Sequence, residues 1–416
     1  MKIIHINYSD IEGGAAIAAS RHNEAMRRVG IDSSMLVVSR KGKGGFYVKT
    51  VLKNKYALFF YSHIYLYLSL IFSKLYNPFA KFSFAFWGFR LHKLPLVKQA
   101  DIIYLHWING SMASVKEIEC LLKTGKTVFW YMHDMYPLTG GCHYAFDCQK
   151  YKIECCNCPM VRRKFPFDAV KYQFRSKMKA WTKYSNLQVV VPSHWLGNCS
   201  RESTIFRGHK ITICPNVLDT DLFKPVDKFF ARNLLNIHSD KKLILFGADS
   251  LKSDYKGWEY LRTALNLLDK DKYECMIFGS KNENIENDIR IKAYFTGYLR
   301  DVYSLILAYN AADVFVSPSL ADNFPNVILE AMSCGTPCVG FNVGGIPDLI
   351  CHKKTGYLSE YKNADDLVNG ICYVLGEENS RLSVAARCWV VNNCAYNKVL
   401  EVHQELNRFM RHDENG

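Results

Sequence analysis

The sequence lacks a recognisable export signal, a zinc-finger pair, an RNP-type run, a basic leucine zipper, internal repeats and low-complexity tracts. Each absence narrows the reading. After Met1-Lys2 the chain goes straight into IIHIN, a strand-like run with no signal-peptide pattern, so a cytoplasmic protein is expected. In that reducing compartment the 15 Cys read as thiols or metal ligands before disulfides. Without a nucleic-acid-binding module, no nucleic-acid partner is expected. What is present is enough apolar sequence for large cores. Hydrophobic residues make up 49% and charged residues 22%, a balance that argues against disorder. At 416 residues the chain is too long for one ordinary core and suits two domains.

Charge is divided unevenly. Residues 1–215 hold 31 of the 53 Lys+Arg and 12 of the 39 Asp+Glu, a balance of +19; residues 216–416 hold the other 22 and 27, or −5. A basic first half points to an anionic partner, either a phosphorylated substrate or an anionic membrane surface.

Apolar runs rich in β-branched and aromatic residues recur between helix-period segments. The first series is IIHIN (3–7), SSMLVVS (33–39), DIIYLHW (101–107), TVFWYMH (127–133), LQVVVPS (187–193) and ITIC (211–214). The second is KLILFGA (242–248), YECMIFGS (273–280), AYFTGY (293–298), DVFVSPS (313–319) and PCVGFN (337–342). Continuous apolar strands alternating with helices predict parallel sheets covered on both faces, and two series predict two doubly wound α/β domains. The Pro-bounded connector PNVLDTDLFKP (215–225) sets the boundary, giving domains 1–215 and 216–416. Asp219 and Asp221 in it read as turn chemistry rather than a metal-binding pair. Three helix patterns close the chain; the last, about 397–412, is expected to pack back on the first domain.

One stretch breaks the rhythm. Residues 56–72 carry no charge, FSFAFWGF (82–89) follows, and Lys and Arg punctuate 53–98. A span there would put the first strand and helix on the opposite side of a membrane from the rest of their sheet. A basic, aromatic helical pair lying in the membrane interface is the expectation; a buried helical hairpin is the alternative.

Residues 319–345, SLADNFPNVILEAMSCGTPCVGFNVGG, hold two acids eight positions apart. Pro325 suits a helix start, Asn323 a cap and Gly335 the residue past the end, predicting a helix over about 325–334. Its first amides, at Asn326 and Val327, favour a phosphate. Asp322 precedes the helix and Glu330 lies near its middle, roughly 10 Å away at 1.5 Å per residue. An extended nucleotide sugar bridges that span, with sugar near Asp322, diphosphate at the helix start and ribose near Glu330. The alternative is a solvated acidic loop and one surface glutamate.

A second constellation is GGCHYAFDCQKYKIECCNCP (140–159). Cys142, Cys148, Cys155 and Cys158 give C-x5-C-x6-C-x2-C, a spacing able to close a tetrahedral thiolate site, with His143 and Cys156 as spare ligands. A structural zinc is expected. An iron–sulfur cluster, disulfides and packed free thiols are the alternatives.

The stretch from Asp322 to Glu330 resembles the E-x7-E signature of GT4-type retaining glycosyltransferases of the GT-B fold, in which two Rossmann-like domains face each other across a cleft. The resemblance runs through GGAAIAA (13–19), YMHD (131–134), VVVPSHW (189–195), PNVLDTDLF (215–223), DYKG (254–257), FNVGGIPDLI (341–350) and TGYL (355–358). The wording LHWING, MHDMYPLTGGCHY and CNCP is similar to a subgroup of exopolysaccharide, capsule or colanic-acid-type assembly. Two departures stand out. Asp322 replaces the usual Glu, and the family's arginine before the Lys-Gly pair is absent, with Lys252 nearby instead.

The resemblance implies a retaining transferase that moves a sugar from a nucleotide-diphosphate donor to a glycan; with the basic first half, a lipid-linked acceptor met at the inner face of the plasma membrane is the expectation. Its catalysis needs no cofactor. Lys256, Asn326 and Val327 would hold the diphosphate, with Gly13 and Gly14 approaching from the other domain. Glu330 would take the ribose, Asp322 the sugar hydroxyls, and His133 would lie near the transferred sugar. For His133 the alternative is a structural histidine bonded to a backbone carbonyl. A nucleotide-sugar 2-epimerase of the same architecture and an inactive nucleotide-sugar-binding subunit are the competing functions.

Overall fold

Two parallel sheets organise the chain. The computed structural model describes residues 1–42, 45–52, 54, 56–57, 59–61, 63–64, 67–68, 71, 81–161, 167–250, 254–280, 288–299, 301–399 and 401. The chain falls into two compact units: it passes from the first to the second between Pro215 and Asn216, and Val399 groups with the first again.

In the first unit the strands are β1 (Lys2–Ile6), β2 (Asp32–Val37), β3 (Val48–Thr50), β4 (Ile102–Leu105), β5 (Thr127–Tyr131), β6 (Leu187–Val191) and β7 (Ile211–Ile213). They form one sheet in the order β3-β2-β1-β4-β5-β6-β7, every pair parallel. Side chains alternate across it. Ile4, Ile6, Ile103, Leu105, Val128 and Trp130 enter the main core on one face. On the other, His5, Tyr104 and Tyr131 lie against His22 of the helix Gly14–Arg28.

The second unit holds β8 (Lys242–Ser250), β9 (Tyr273–Ser280), β10 (Lys292–Gly297), β11 (Val314–Ser317), β12 (Cys338–Phe341) and β13 (Gly356–Ser359), ordered β10-β9-β8-β11-β12-β13 and again parallel. Leu243, Leu245, Met276 and Phe315 feed one core with Ile328 and Met332, while Ile244, Phe246, Ile277 and Val316 feed a second with Leu261 and Ile371. Alternate residues of each strand thus bury on opposite faces, as continuous apolar runs require.

The strands without a sequence forecast, β3 and β13, are edge strands of three and four residues, too short to show a pattern. The interfacial helical pair needs correction. The described residues between 56 and 71 are helical, but 82–89 are not. Phe82 pairs antiparallel with Cys142, and Ser83 N donates to Gly141 O at 2.9 Å. The alternating aromatics of FSFAF have strand period, and Phe82, Phe84 and Phe86 form a row of ring contacts 5.0 and 5.3 Å apart. Among the described residues no helix is long and apolar enough to cross a membrane. Residues 72–80 of that segment, Lys252, and nearly all of the closing helix forecast at about 397–412 lie outside the described residues.

Candidate functional site

In the second unit the direction of strand succession reverses between β8 and β11, which are neighbours in the sheet. Such a switch point, at the carboxyl ends of the strands, is where open parallel sheets bind ligands. The turn Asp254–Lys256 follows β8. Gly257 then takes φ +69°, and a Cβ there would sit 1.8 Å from Pro318 O. Glycine is what lets this turn lie against the end of β11. Leu320 N donates to Tyr255 O at 2.7 Å, locking the two segments. From the other side Gly344, at φ +59°, approaches Asp322 so closely that a Cβ would be 2.2 Å from its carbonyl oxygen. Gly345 N donates to that oxygen at 3.0 Å.

Asp322 is therefore fixed between two turns. Its Oδ2 lies 2.8 Å from Lys256 Nζ, and its Oδ1 accepts from Asn323 N at 3.0 Å. Lys256 and Asp322 keep 27% and 14% of their side-chain exposure, enough to meet a ligand.

The helix after Asp322 is Asn326–Ser333. Pro325 stands at its N-cap, with φ −67° and ψ 118°, and no side chain caps it, so the forecast of an Asn323 cap is corrected. A proline N-cap leaves the first amides to other partners. Asn326 Oδ1 accepts from Asn216 Nδ2 at 3.2 Å, and the same nitrogen donates to Phe324 O at 3.1 Å. The connector thus braces the loop ahead of the helix. Val327 is half-buried against the core. Glu330 is 4% exposed, and its Oε2 accepts from Tyr309 OH at 2.7 Å, which rules out the solvated surface glutamate. Asp219 Oδ1 accepts from the amides of Asp221 and Leu222, each at 3.2 Å, as the turn reading expects.

In the first unit Gly13, at φ +87° and ψ 162°, follows β1 and opens the helix that begins at Gly14. Nothing lies within 4 Å of a Cβ built on Gly13, so its backbone conformation, not space, calls for glycine. His133 follows β5 and is half-buried; its Nε2 lies 3.0 Å from His106 Nδ1. Burial drives its pKa down to about 4. Its ring partner is thus a side chain, not a backbone carbonyl, in that contact. Next to it, Asp134 accepts from His143 Nδ1 at 2.5 Å and from Tyr136 N at 2.9 Å. Burial raises the Asp134 carboxyl, but His143 and the Tyr136 amide outweigh it and hold it below the usual range. His143 Nε2 reaches Ser83 Oγ at 2.9 Å, so His143 ties the aromatic strap down. Tyr309 carries no motif; Asn216 lies in PNVLDTDLF and His106 in LHWING, but sequence reasoning gave none of the three a role. Only strand parity, which puts Tyr104 with His106 and Tyr131 with His133, hinted at the last.

Cys142, Cys148, Cys155, Cys156 and Cys158 line one cavity with Tyr151 and Met160. Close by, the buried Lys177 donates to Tyr136 O at 2.6 Å and Thr139 O at 3.0 Å. The donor set fits zinc in type. The spacing is wider than a closed site: among the described residues, groups with three ligand atoms all within 4.8 Å of one another are His5–His22–His106 and His92–Glu117–Cys120.

Residues 240–377 match the family model described as glycosyl transferases group 1. An uncharacterized glycosyltransferase of Methanocaldococcus jannaschii is 32% identical over 175 residues, 40% of this chain and 43% of that protein. The putative colanic acid biosynthesis glycosyl transferase WcaC of Escherichia coli K12 is 24% identical over 361 residues, 82% of each chain. The alignments span less than half the length of the first curated relatives. Among solved structures, Anabaena HepE in complex with UDP and glucose superposes with TM-score 0.63 at 14% identity, covering 98% of this chain and 99% of that one, a likeness of fold. The second unit thus contains a domain of glycosyl transferases group 1, in a chain with the two parallel-sheet Rossmann-like domains of the GT-B fold.

Proposed function

We propose that the protein is a retaining glycosyltransferase that moves a sugar from a nucleotide-diphosphate donor to a glycan in cell-surface polysaccharide assembly. The observation that carries this is the Lys256–Asp322 pair at the switch point, ahead of the helix Asn326–Ser333. Breaking the glycosidic bond builds negative charge on the leaving diphosphate. Lys256 and the amides of Asn326 and Val327 supply positive potential there. Asp322 holds sugar hydroxyls beside the reacting carbon. Glu330, oriented by Tyr309, takes the ribose hydroxyls. In the first unit, Gly13 and Gly14 are the candidate backbone contacts to a phosphate, and His133 is the candidate contact to a sugar. A departing phosphate oxygen accepts the proton of the incoming hydroxyl on the same face, which retains configuration.

The acceptor is lipid-linked and met at an anionic membrane surface on the cytoplasmic side. The basic balance of residues 1–215 supports this, as do the exposed Tyr56, Phe59, Phe60, Ile64 and Tyr67. A zinc held by Cys142, Cys148, Cys155 and Cys158 would stiffen the loop after His133 and take no part in transfer. The test is donor hydrolysis and transfer with a panel of nucleotide sugars. Wild-type turnover that vanishes in Lys256→Ala supports the reading; tight donor binding with no turnover under any condition marks a binding subunit instead.

A further inference from the structure

Three imidazoles run in line through the first unit. His5 lies on β1, opposite Tyr104 of β4; His106 follows β4, and His133 follows β5. His5 Nδ1 is 2.9 Å from His106 Nε2, and His106 Nδ1 is 3.0 Å from His133 Nε2. The ring centroids are 5.2 and 5.3 Å apart, with interplanar angles of 29° and 23°. Each separation is close to the N···N distance plus one ring radius at either end. The rings therefore meet edge to edge and nearly coplanar, each lone pair aimed along the next N–H.

A shared metal would look different. Two nitrogens on one tetrahedral ion point at a common third position, and their ring axes converge instead of lining up. His22 does bring a ring nitrogen within 4.8 Å of those of His5 and His106, but its ring stands edge-on to His5 at 79°.

Both His5 and His106 are buried. Burial, with neighbouring histidines, keeps His106 well below the usual range, and burial keeps His133 near 4, so these rings are neutral at neutral pH. A neutral imidazole carries one proton. Each of the two links also needs one proton. With His106 and His133 neutral, that leaves two arrangements: both protonated on Nε2, facing a bare His5 Nδ1, or both on Nδ1, facing a His5 Nδ1–H. In the first, His133 Nδ1 carries no proton; in the second, it carries one.

We propose that His106 and His5 are positioning residues that fix the tautomer of His133, so that His133 meets its ligand through Nδ1 with a donor or acceptor character set two rings away. This rests on the reading that His133 is a ligand contact of the proposed transferase.

The experiment is long-range 1H–15N spectroscopy of the full chain labelled at histidine nitrogens, at neutral pH, beside kinetics of donor hydrolysis. His5, His106 and His133 should each show a single neutral tautomer, and the same one. His106→Phe, which removes both links, should leave His133 in mixed tautomers and lower kcat about tenfold or more, the direction a wrong tautomer produces, with nucleoside-diphosphate affinity unchanged. His106→Gln keeps a donor and an acceptor and should keep one His133 tautomer. Rings in different tautomers, a protonated ring, nitrogen shifts that move on chelation, or a His133 tautomer unaffected by His106→Phe would overturn the chain. Should His106→Phe not fold, the wild-type pattern and His106→Gln still decide. A wild-type protein that hydrolyses no donor defeats the transferase reading separately, since the spectra need no turnover.

Discussion

Lys256 Nζ and Asp322 Oδ2 stand 2.8 Å apart across the point where β8 and β11 part company. The cation and the anion of the proposed donor site are each other's partner. A diphosphate arriving at the helix start would compete for Lys256 and release Asp322 to the sugar. The two residues should therefore fail differently. Lys256→Ala removes the cation facing a growing charge, so kcat falls together with affinity. Asp322→Ala should lower kcat with little loss of nucleoside-diphosphate binding, because it touches the sugar. Asp322→Glu should be tolerated. Steady-state hydrolysis beside calorimetry checks all three, and wild-type turnover in both alanine variants refutes the site.

Glu330 depends on Tyr309. Glu330→Ala should weaken donor binding by roughly 1.5–3 kcal/mol, the range for a hydrogen bond to a charged group. Tyr309→Phe leaves the carboxylate in place but loses its 2.7 Å bond. It should cost stability and a smaller part of the affinity. Equal affinity in all three proteins, by titration calorimetry, would remove Glu330 from the ribose.

Acid should destabilise the first unit. His133 binds a proton near pH 4 when folded and near 6.5 when unfolded. The unfolded chain is protonated first, so this contribution is complete above about pH 6.5 and is lost as pH falls toward 4. His106, held lower by burial, adds in the same direction. At pH 5.5 the loss from one such histidine is about 1.4 kcal/mol. Melting curves from pH 7.5 to 4.5 should show it, with a shallower slope in His133→Gln.

The cysteine cavity should yield about one zinc per chain by elemental analysis. Cys155→Ser with Cys158→Ser should lose the metal and lower the melting temperature. Metal-free protein of unchanged stability leaves packed thiols.

The protein should sediment with anionic vesicles and be released as salt screens the charge. Binding equally to neutral vesicles would point to aromatic insertion without charge; binding to neither would exclude membrane contact through this unit.

Much of the fold was legible because burial on both faces writes itself into the strands. KLILFGA and DVFVSPS are continuous apolar runs, and such runs with helices between them leave parallel sheets as the consistent answer. Local chemistry also carried the Asp219 turn and the glycines: Gly257 and Gly344 sit where a Cβ cannot fit. The aromatic strap was misread because its hydrophobicity was weighed ahead of its period of two. What the sequence could not supply was partnership between distant segments. That Lys256 would face Asp322 depends on two strands becoming neighbours at a switch point, a property of strand order, not of either motif. That Glu330 would be buried and bonded to Tyr309, 21 positions earlier, was not legible in either segment. His5, His106 and His133 are far apart in the chain, and parallel register alone sets their rings end to end. Sequence determines which groups must be buried and which turns need glycine; tertiary packing decides which buried group meets which, because that depends on how the strands are ordered.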